Sequence, residues 1–467
     1  MKSVPDVSTR VESDSMGTVA VPAGAYYGAS TQRALDNFPI SDLRLPEEFL
    51  VGLARIKLAA AEINCRKGII SREQAEAIKA ACREVIDGKF FDQFGVDVFQ
   101  TGSGTSTNMN MNEVLARRAR EIAGLNADDR AAIHPNDHVN ASQSSNDAIP
   151  SALHLSALTL IETALLPELD ALVASLRKKS RQFRKVVKSG RTHLNDATPV
   201  TLGQEFSGYA AQISEARKAI KQAASRLARL TVGGTAVGTG VNAPSSFGKD
   251  VCAFLAGDLD LPVRKTANHF RSQSSVDDAV AASGALKVLA VALIKIGNDI
   301  RWMGSGPRAG LGELLIPAVQ PGSSIMPGKV NPVIAESVLM VSAQVIGNDA
   351  AITVAGQAGN FELNVMLPLV AYNLLQSIRL LGAACKNFRT RLIDGLEQTG
   401  RGPQQASNSV ALATSLAPVI GYDEAARIAK IAVATGESVF DVARRETSLP
   451  AGQLKSLLDP ASMTRRQ

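Results

Sequence analysis

The sequence is short of several things that define whole classes of protein. Only four cysteines, Cys65, Cys82, Cys252 and Cys385, are spread over 467 residues. No CxxC pair occurs and no Cys/His cluster has ligand spacing, which argues against structural zinc, an iron–sulfur cluster or a disulfide framework. A reducing compartment, the cytoplasm, is the default expectation. Aromatic residues make up 4% and there is one Trp, too few for a base-stacking platform or an aromatic cage. Fifty basic residues face 44 acidic ones, and a net charge of +6 is weak ground for a nucleic-acid partner. The start, MKSVPDVSTRVESDSMG, has no apolar core and does not read as a secretory signal. The longest apolar stretches carry lysines, such as Lys287 and Lys295 between Leu286 and Ile296, so no membrane span is expected. There is no P-loop and no G-x-S-x-G elbow. The glycines from Gly233 to Gly240 lack a surrounding βαβ pattern, so they are not read as a dinucleotide loop.

What is present is helix. A chain this long suggests about three domains. Residues 1–143 are mixed, with helical patterns near 46–64 and 72–87. From 144 to 399 long helices follow one another: 147–186 with a kink expected at Pro167, 202–230 opened by a Thr201/Gln204 capping box, 275–303, 332–356, and 359–396 with a kink expected at Pro368. Gly400-Arg-Gly-Pro403 breaks the pattern before a small helical region, 400–467. In 283–303, Leu286, Leu289, Leu293, Ile296 and Ile300 form one face, while Val288, Val291 and Ile294 spill onto others. Between Val338 and Ile346 only Ser342 and Gln344 are polar. A helix apolar nearly all round must be buried nearly all round. A bundle that also packs against copies of itself is therefore expected, with a large-cored monomer as the alternative.

Four polar segments stand apart: 101–113, 134–147, 190–199 and 322–332. Each is dense in hydroxyls and amides, and most directly precede helices. Directed donors and unsatisfied helix-start N–H groups suit a small anion. In the last segment Pro332 fits the first helical position with Asn331 as its cap, and Lys329 adds charge. A lone histidine is more often structural, but the neighbours Thr192, Asn195 and Asp196 favour a functional His193. The run 177–191 holds eight Lys or Arg residues and no acid, with Phe183 its only aromatic, and reads as a solvated helix end.

The segment from Gly322 through Lys329 to Pro332 resembles the signature of the fumarase/aspartase superfamily. The other three segments are similar to those of class II fumarases, in the same order, as are Asp14-Ser-Met-Gly17, Thr31-Gln-Arg33, Asn37-Phe-Pro-Ile40, Gly356 to Val365 and Ile420-Gly-Tyr-Asp423. The likeness runs over nearly the whole chain. It implies a mainly α, three-domain subunit whose long central bundle forms the multi-helix core of a homotetramer, each active site being drawn from three subunits. It also implies a metal-independent hydro-lyase of the tricarboxylic acid cycle, without cofactor, that interconverts fumarate and (S)-malate. Thr192-His193-Leu194 favours fumarase, since aspartases usually carry Gln where His193 stands.

By that resemblance Ser323 is the base, His193 the acid–base partner, Lys329 a holder of the developing charge and Glu336 the group that orients the histidine. Ser103, Gly104, Thr105, Ser144, Ser145, Asn146, Thr192, Ser324, Lys329, Val330 and Asn331 bind substrate. His134, Pro135, Asn136 and Asp137 form a second dicarboxylate site near the entrance. A serine is a poor base unless its alkoxide is stabilised; adjacent loop N–H groups, the helix start at Pro332 and Lys329 are the expected source. The imidazole of His193 suits proton exchange near neutrality. Two departures stand out: His138 replaces an Asp frequent in the family, and Arg271, Ser272 and Ser274-Ser275 replace a stretch usually opened by Glu. The alternatives are an aspartate ammonia-lyase or another fumarate-releasing lyase of the same superfamily, and a non-catalytic scaffold.

Overall fold

The computed structural model describes residues 8–464. The protein is mostly helical, with a few two-stranded ribbons. Its described residues fall into two compact units: those up to 166, with 218–288 and 343–381, in the first, and 167–217, 289–342 and those from 382 onward in the second. The chain divides inside five long helical stretches: Ser145–Gln182, Leu202–Leu227, Asp277–Met303, Val333–Gly356 and Leu367–Arg391. These are the helices expected from periodicity, as are Glu47–Arg66 and Arg72–Ile86 before them.

Local chemistry explains most of the boundaries. Thr201 N–H donates to Gln204 Oε1 at 2.8 Å and Gln204 N–H donates back to Thr201 Oγ1 at 3.1 Å, which is the expected capping box. Before Pro167 the helix widens into a π turn, Ile161–Leu165, where the missing proline N–H removes a rung of the ladder. The expected kink at Pro368 does not form. Residues 359–366 instead make a tight ribbon, Gly359–Asn360 against Leu363–Asn364. Asn364 Oδ1 then accepts from Met366 N–H at 2.9 Å. Pro368 is the second residue of the Leu367–Arg391 helix, a first-turn position where its missing N–H costs nothing.

The expected inner face of Asp277–Met303 is fully buried at Leu286, Leu289, Leu293, Ile296 and Ile300, whereas Val288 and Val291 are each 55% exposed. By length and composition three helices could cross a membrane: Ser145–Gln182, Asp277–Met303 and Val333–Gly356. The lysines at 287 and 295, named as the reason to expect no span, leave the window apolar enough to qualify. In Ser145–Gln182 that window is 72% buried within the protein itself. Near the end of the chain, Leu412, Leu416, Ile428, Val439, Val442 and Leu454 close a separate apolar core.

Candidate active site

In the first unit two helix starts converge. Gly104, left-handed at φ 73°, precedes the Thr105–Ile122 helix, and a β-carbon there would press 2.9 Å from Ile149 Cγ2. Ser144 starts the Ser145–Leu160 helix: its hydroxyl accepts from Asn146 N–H while its own N–H donates to Asp147 Oδ1 at 2.9 Å. The Thr105 hydroxyl lies 2.7 Å from Ser103 Oγ on one side and 2.7 Å from Ser145 Oγ on the other. Beside them opens a cavity of about 340 Å³ lined by Thr105, Asn108, Asn140, Ser144, Ser145 and Asn242, among others. Neutral donors under two positive helix ends suit a small anion. Asn146 turns aside, donating to Ala236 carbonyl at 2.8 Å.

Several residues around this cavity had not been singled out. Asn108 stands one turn beyond Thr105 on the same helix, a spacing that could have revealed it. The glycine-rich loop rejected as a dinucleotide site supplies Thr235 and Ala236 to the wall. It is tied down by buried Asp147, whose Oδ2 accepts from Gly233 N–H at 2.9 Å and Thr235 N–H at 3.0 Å. Burial raises the Asp147 carboxyl above its ordinary range. Lys57, fully buried, donates to Asn140 Oδ1 at 2.8 Å, and loss of water lowers its ammonium to about 7. No sequence motif marks it.

In the second unit the Val187–Thr192 and Asn195–Thr201 strands form a hairpin whose two-residue tip is His193-Leu194. Both tip residues have positive φ, 56° and 62°. Tight hairpins require this of their central pair and usually meet it with Asn-Gly. For residues with side chains such backbone costs about 1–3 kcal/mol each and tends to gather at functional sites. Thr192 and His193 are exposed at the tip.

The 322–331 loop is closed on itself. Gly322 N–H donates to Lys329 carbonyl at 2.9 Å, and Asn331 Nδ2 donates to Gly322 carbonyl at 2.7 Å. Asn331 is therefore not the helix cap expected from sequence: the Val333–Gly356 helix takes its first bond from Pro332 carbonyl, to Glu336 N–H. The Ser323 hydroxyl oxygen accepts two backbone N–H groups, from Ile325 at 3.1 Å and Met326 at 3.0 Å. Ser324, Lys329 and Val330 are exposed beside it. Among the described residues no hydrogen bond joins Glu336 or Ser323 to the imidazole of His193.

His134 to Asp137 form part of a π turn, Pro135–Val139. The His134 Nδ1 accepts from Asn136 and Asp137 N–H groups at 3.3 and 3.2 Å and lies 3.2 Å from the Asp137 carboxylate. Burial lowers the His134 pKa. His138 turns inward, its Nδ1 accepting from His134 N–H at 2.7 Å. At the other departure, Arg271 pairs with Asp277 and with buried Asp278 in the first turn of the next helix, a structural role. Among the described residues no three His, Cys, Asp or Glu side chains are grouped to hold a metal.

The long-helix architecture and the serine loop are those of a lyase: the lyase family profile matches residues 17–347, and the fumarase C C-terminus profile matches 412–465. A fumarate hydratase class II from Thermosynechococcus vestitus is 51% identical over 93% of this chain and 93% of its own. Fumarate hydratase class II 2 from Bradyrhizobium diazoefficiens is 48% identical over 98% of this chain and 97% of its own. The crystal structure of a recombinant class II fumarase from Schistosoma mansoni superimposes with a TM-score of 0.95 at 38% identity, covering 98% of this chain and 99% of that one. The chain belongs to the class II fumarate hydratase family.

Proposed function

We infer that the chain is a hydro-lyase that reversibly converts fumarate to (S)-malate. One observation carries the mechanism: the Ser323 oxygen already receives two N–H groups. Donors aimed at that oxygen stabilise the serine alkoxide, so the hydroxyl can give up its proton to solvent and the alkoxide is present to act as the base. In the dehydration direction Ser323 removes the proton from the carbon next to a malate carboxylate. The electron pair moves into that carboxylate, giving an aci-carboxylate held by Lys329, with Asn331 keeping the loop in place. Hydroxide leaves from the adjacent carbon, protonated by His193, and Glu336 orients that histidine. Thr192, Ser324 and Val330, with Ser103, Gly104, Thr105, Ser144, Ser145 and Asn146, surround the remaining oxygens. His134, Pro135, Asn136 and Asp137 form a second dicarboxylate site. Operation in the tricarboxylic acid cycle and in the cytoplasm goes with this reading.

The same reading makes the protein a homotetramer with shared active sites and a threefold division at 143/144 and 399/400. Met340, Ala343, Gly347, Ala350 and Val354 are exposed on the Val333–Gly356 helix at alternating spacings of three and four, and this supports the tetramer. Such a stripe is the seam by which helices pair. The separate core at 412–458 supports the last boundary. The test follows fumarate by absorbance with malate and with L-aspartate as substrates. Turnover of malate alone is expected, with Ser323→Ala and His193→Asn each about 10²–10³-fold slower and the oligomer intact by sedimentation. Wild-type rates in both variants would remove the mechanism.

A further inference from the structure

We propose that Glu313 is a positioning residue for the His193 hairpin, its carboxylate fixing where Thr192 and His193 stand. The proposal rests on His193 being the acid–base group. Arg191, two residues before His193, turns back from the tip and places Nη2 2.8 Å from Glu313 Oε1. Lys188, on the same strand, places Nζ 3.3 Å from Glu313 Oε2. Each carboxylate oxygen thus holds one cation of the strand that carries the histidine. Lys188 and Glu313 are almost wholly buried. Lys188 also donates to Glu205 Oε1 at 2.9 Å, so two cationic side chains meet two carboxyl groups.

The geometry requires such an anchor. Residues three apart on a regular strand face opposite ways. Here Thr198 is bulged out of the facing strand, between the Ser189–Pro199 and Gly190–Ala197 pairs. A bulge adds local twist, and Gly190 lets the strands approach: a β-carbon there would stand 2.6 Å from Thr198 carbonyl. The tip beyond has two residues with positive φ and is exposed, and its own side-chain bond, from Asn195 Nδ2 to the His193 carbonyl at 3.3 Å, lies within the turn and ties it to nothing else. Glu313 is a firm post. Its N–H donates to Met303 carbonyl at 2.8 Å, its carbonyl accepts from Thr399 N–H at 3.0 Å, and Leu314–Leu315 pairs with Glu397–Gln398. The same stretch leads onward to Ser323.

The experiment uses the full-length assembled enzyme carrying Glu313→Gln, which keeps the shape and removes the charge. A misplaced acid–base group is expected to lower kcat by about 10–100-fold while KM for malate stays within about threefold. Amide exchange at residues 190–196 is expected to quicken by about tenfold or more, with Tm lowered because Lys188 and Arg191 lose a buried counter-charge, sedimentation little changed at a temperature where the variant is folded, and Glu313→Asp is expected to recover part of kcat. Unaltered hairpin exchange, or a rate loss that only tracks loss of folded protein, would overturn the proposal. If Glu313→Gln does not fold, Arg191→Gln leaves the buried Lys188–Glu313 pair and is expected to show the same pattern more weakly; normal exchange and kcat in that variant would equally overturn it. Full activity in His193→Asn would sink the assignment of the histidine, and hairpin exchange would then decide the anchoring alone.

Discussion

Asn331 donates its side-chain amide to the carbonyl of Gly322, nine residues earlier, at 2.7 Å. This bond closes the loop that holds Ser323 and Lys329. The loop is exposed, so its shape depends on few contacts. Asn331→Ala is expected to leave folding intact and lower kcat about 10–100-fold, measured by steady-state malate dehydration. An unchanged kcat would mean that the Gly322–Lys329 backbone bond suffices.

Thr105 bridges Ser103 and Ser145 through one hydroxyl. Thr105→Val keeps the volume and deletes the bridge, leaving two hydroxyls without their shared partner. A charge-assisted bond to a carboxylate is worth about 1.5–3 kcal/mol, so KM for malate is expected to rise about tenfold or more. Equal KM values would remove Thr105 from the substrate's contacts.

Lys57 makes the stability of the fold depend on pH. Burial lowers its pKa from 10.5 to about 7. Between those values the unfolded chain binds the additional proton, so this group makes the fold less stable as pH falls from about 10 to about 7, with little further change below. Lys57→Met removes the term. The stability difference, wild type minus variant, is expected to rise by about 1.4 kcal/mol per pH unit between pH 7 and 9. Denaturant titration of both proteins at the two pH values checks this; a constant difference would mean Lys57 stays charged.

Leu194 is 68% exposed and has φ 62°. Leu194→Gly relieves a left-handed backbone at small loss of burial and is expected to stabilise the hairpin by about 0.4–1 kcal/mol, net of the entropy glycine adds to the unfolded chain. Hydrogen exchange at Thr192 and Asn195 reads it, and faster exchange would show that the side chain itself holds the tip.

Local patterns made most of the helices legible. The Leu286–Ile300 face and the Thr201/Gln204 box depend on neighbours within a few residues, and both form as read. Pro368 misled because a proline says only where a helix cannot continue, and the turn at Asn364–Met366 that precedes the helix start at Leu367 carries no strong signal. The polar segments were visible as compositions. Lys57 and Glu313 were not, since each matters through a partner more than 80 residues away in sequence.

The two-residue tip at His193-Leu194 has a consequence for how this chain can vary. One residue inserted at the tip would turn the side chains that follow it, from Asn195 to Ala197, to the opposite face ahead of the Thr198 bulge. Length at the tip is thus held as closely as the histidine it carries.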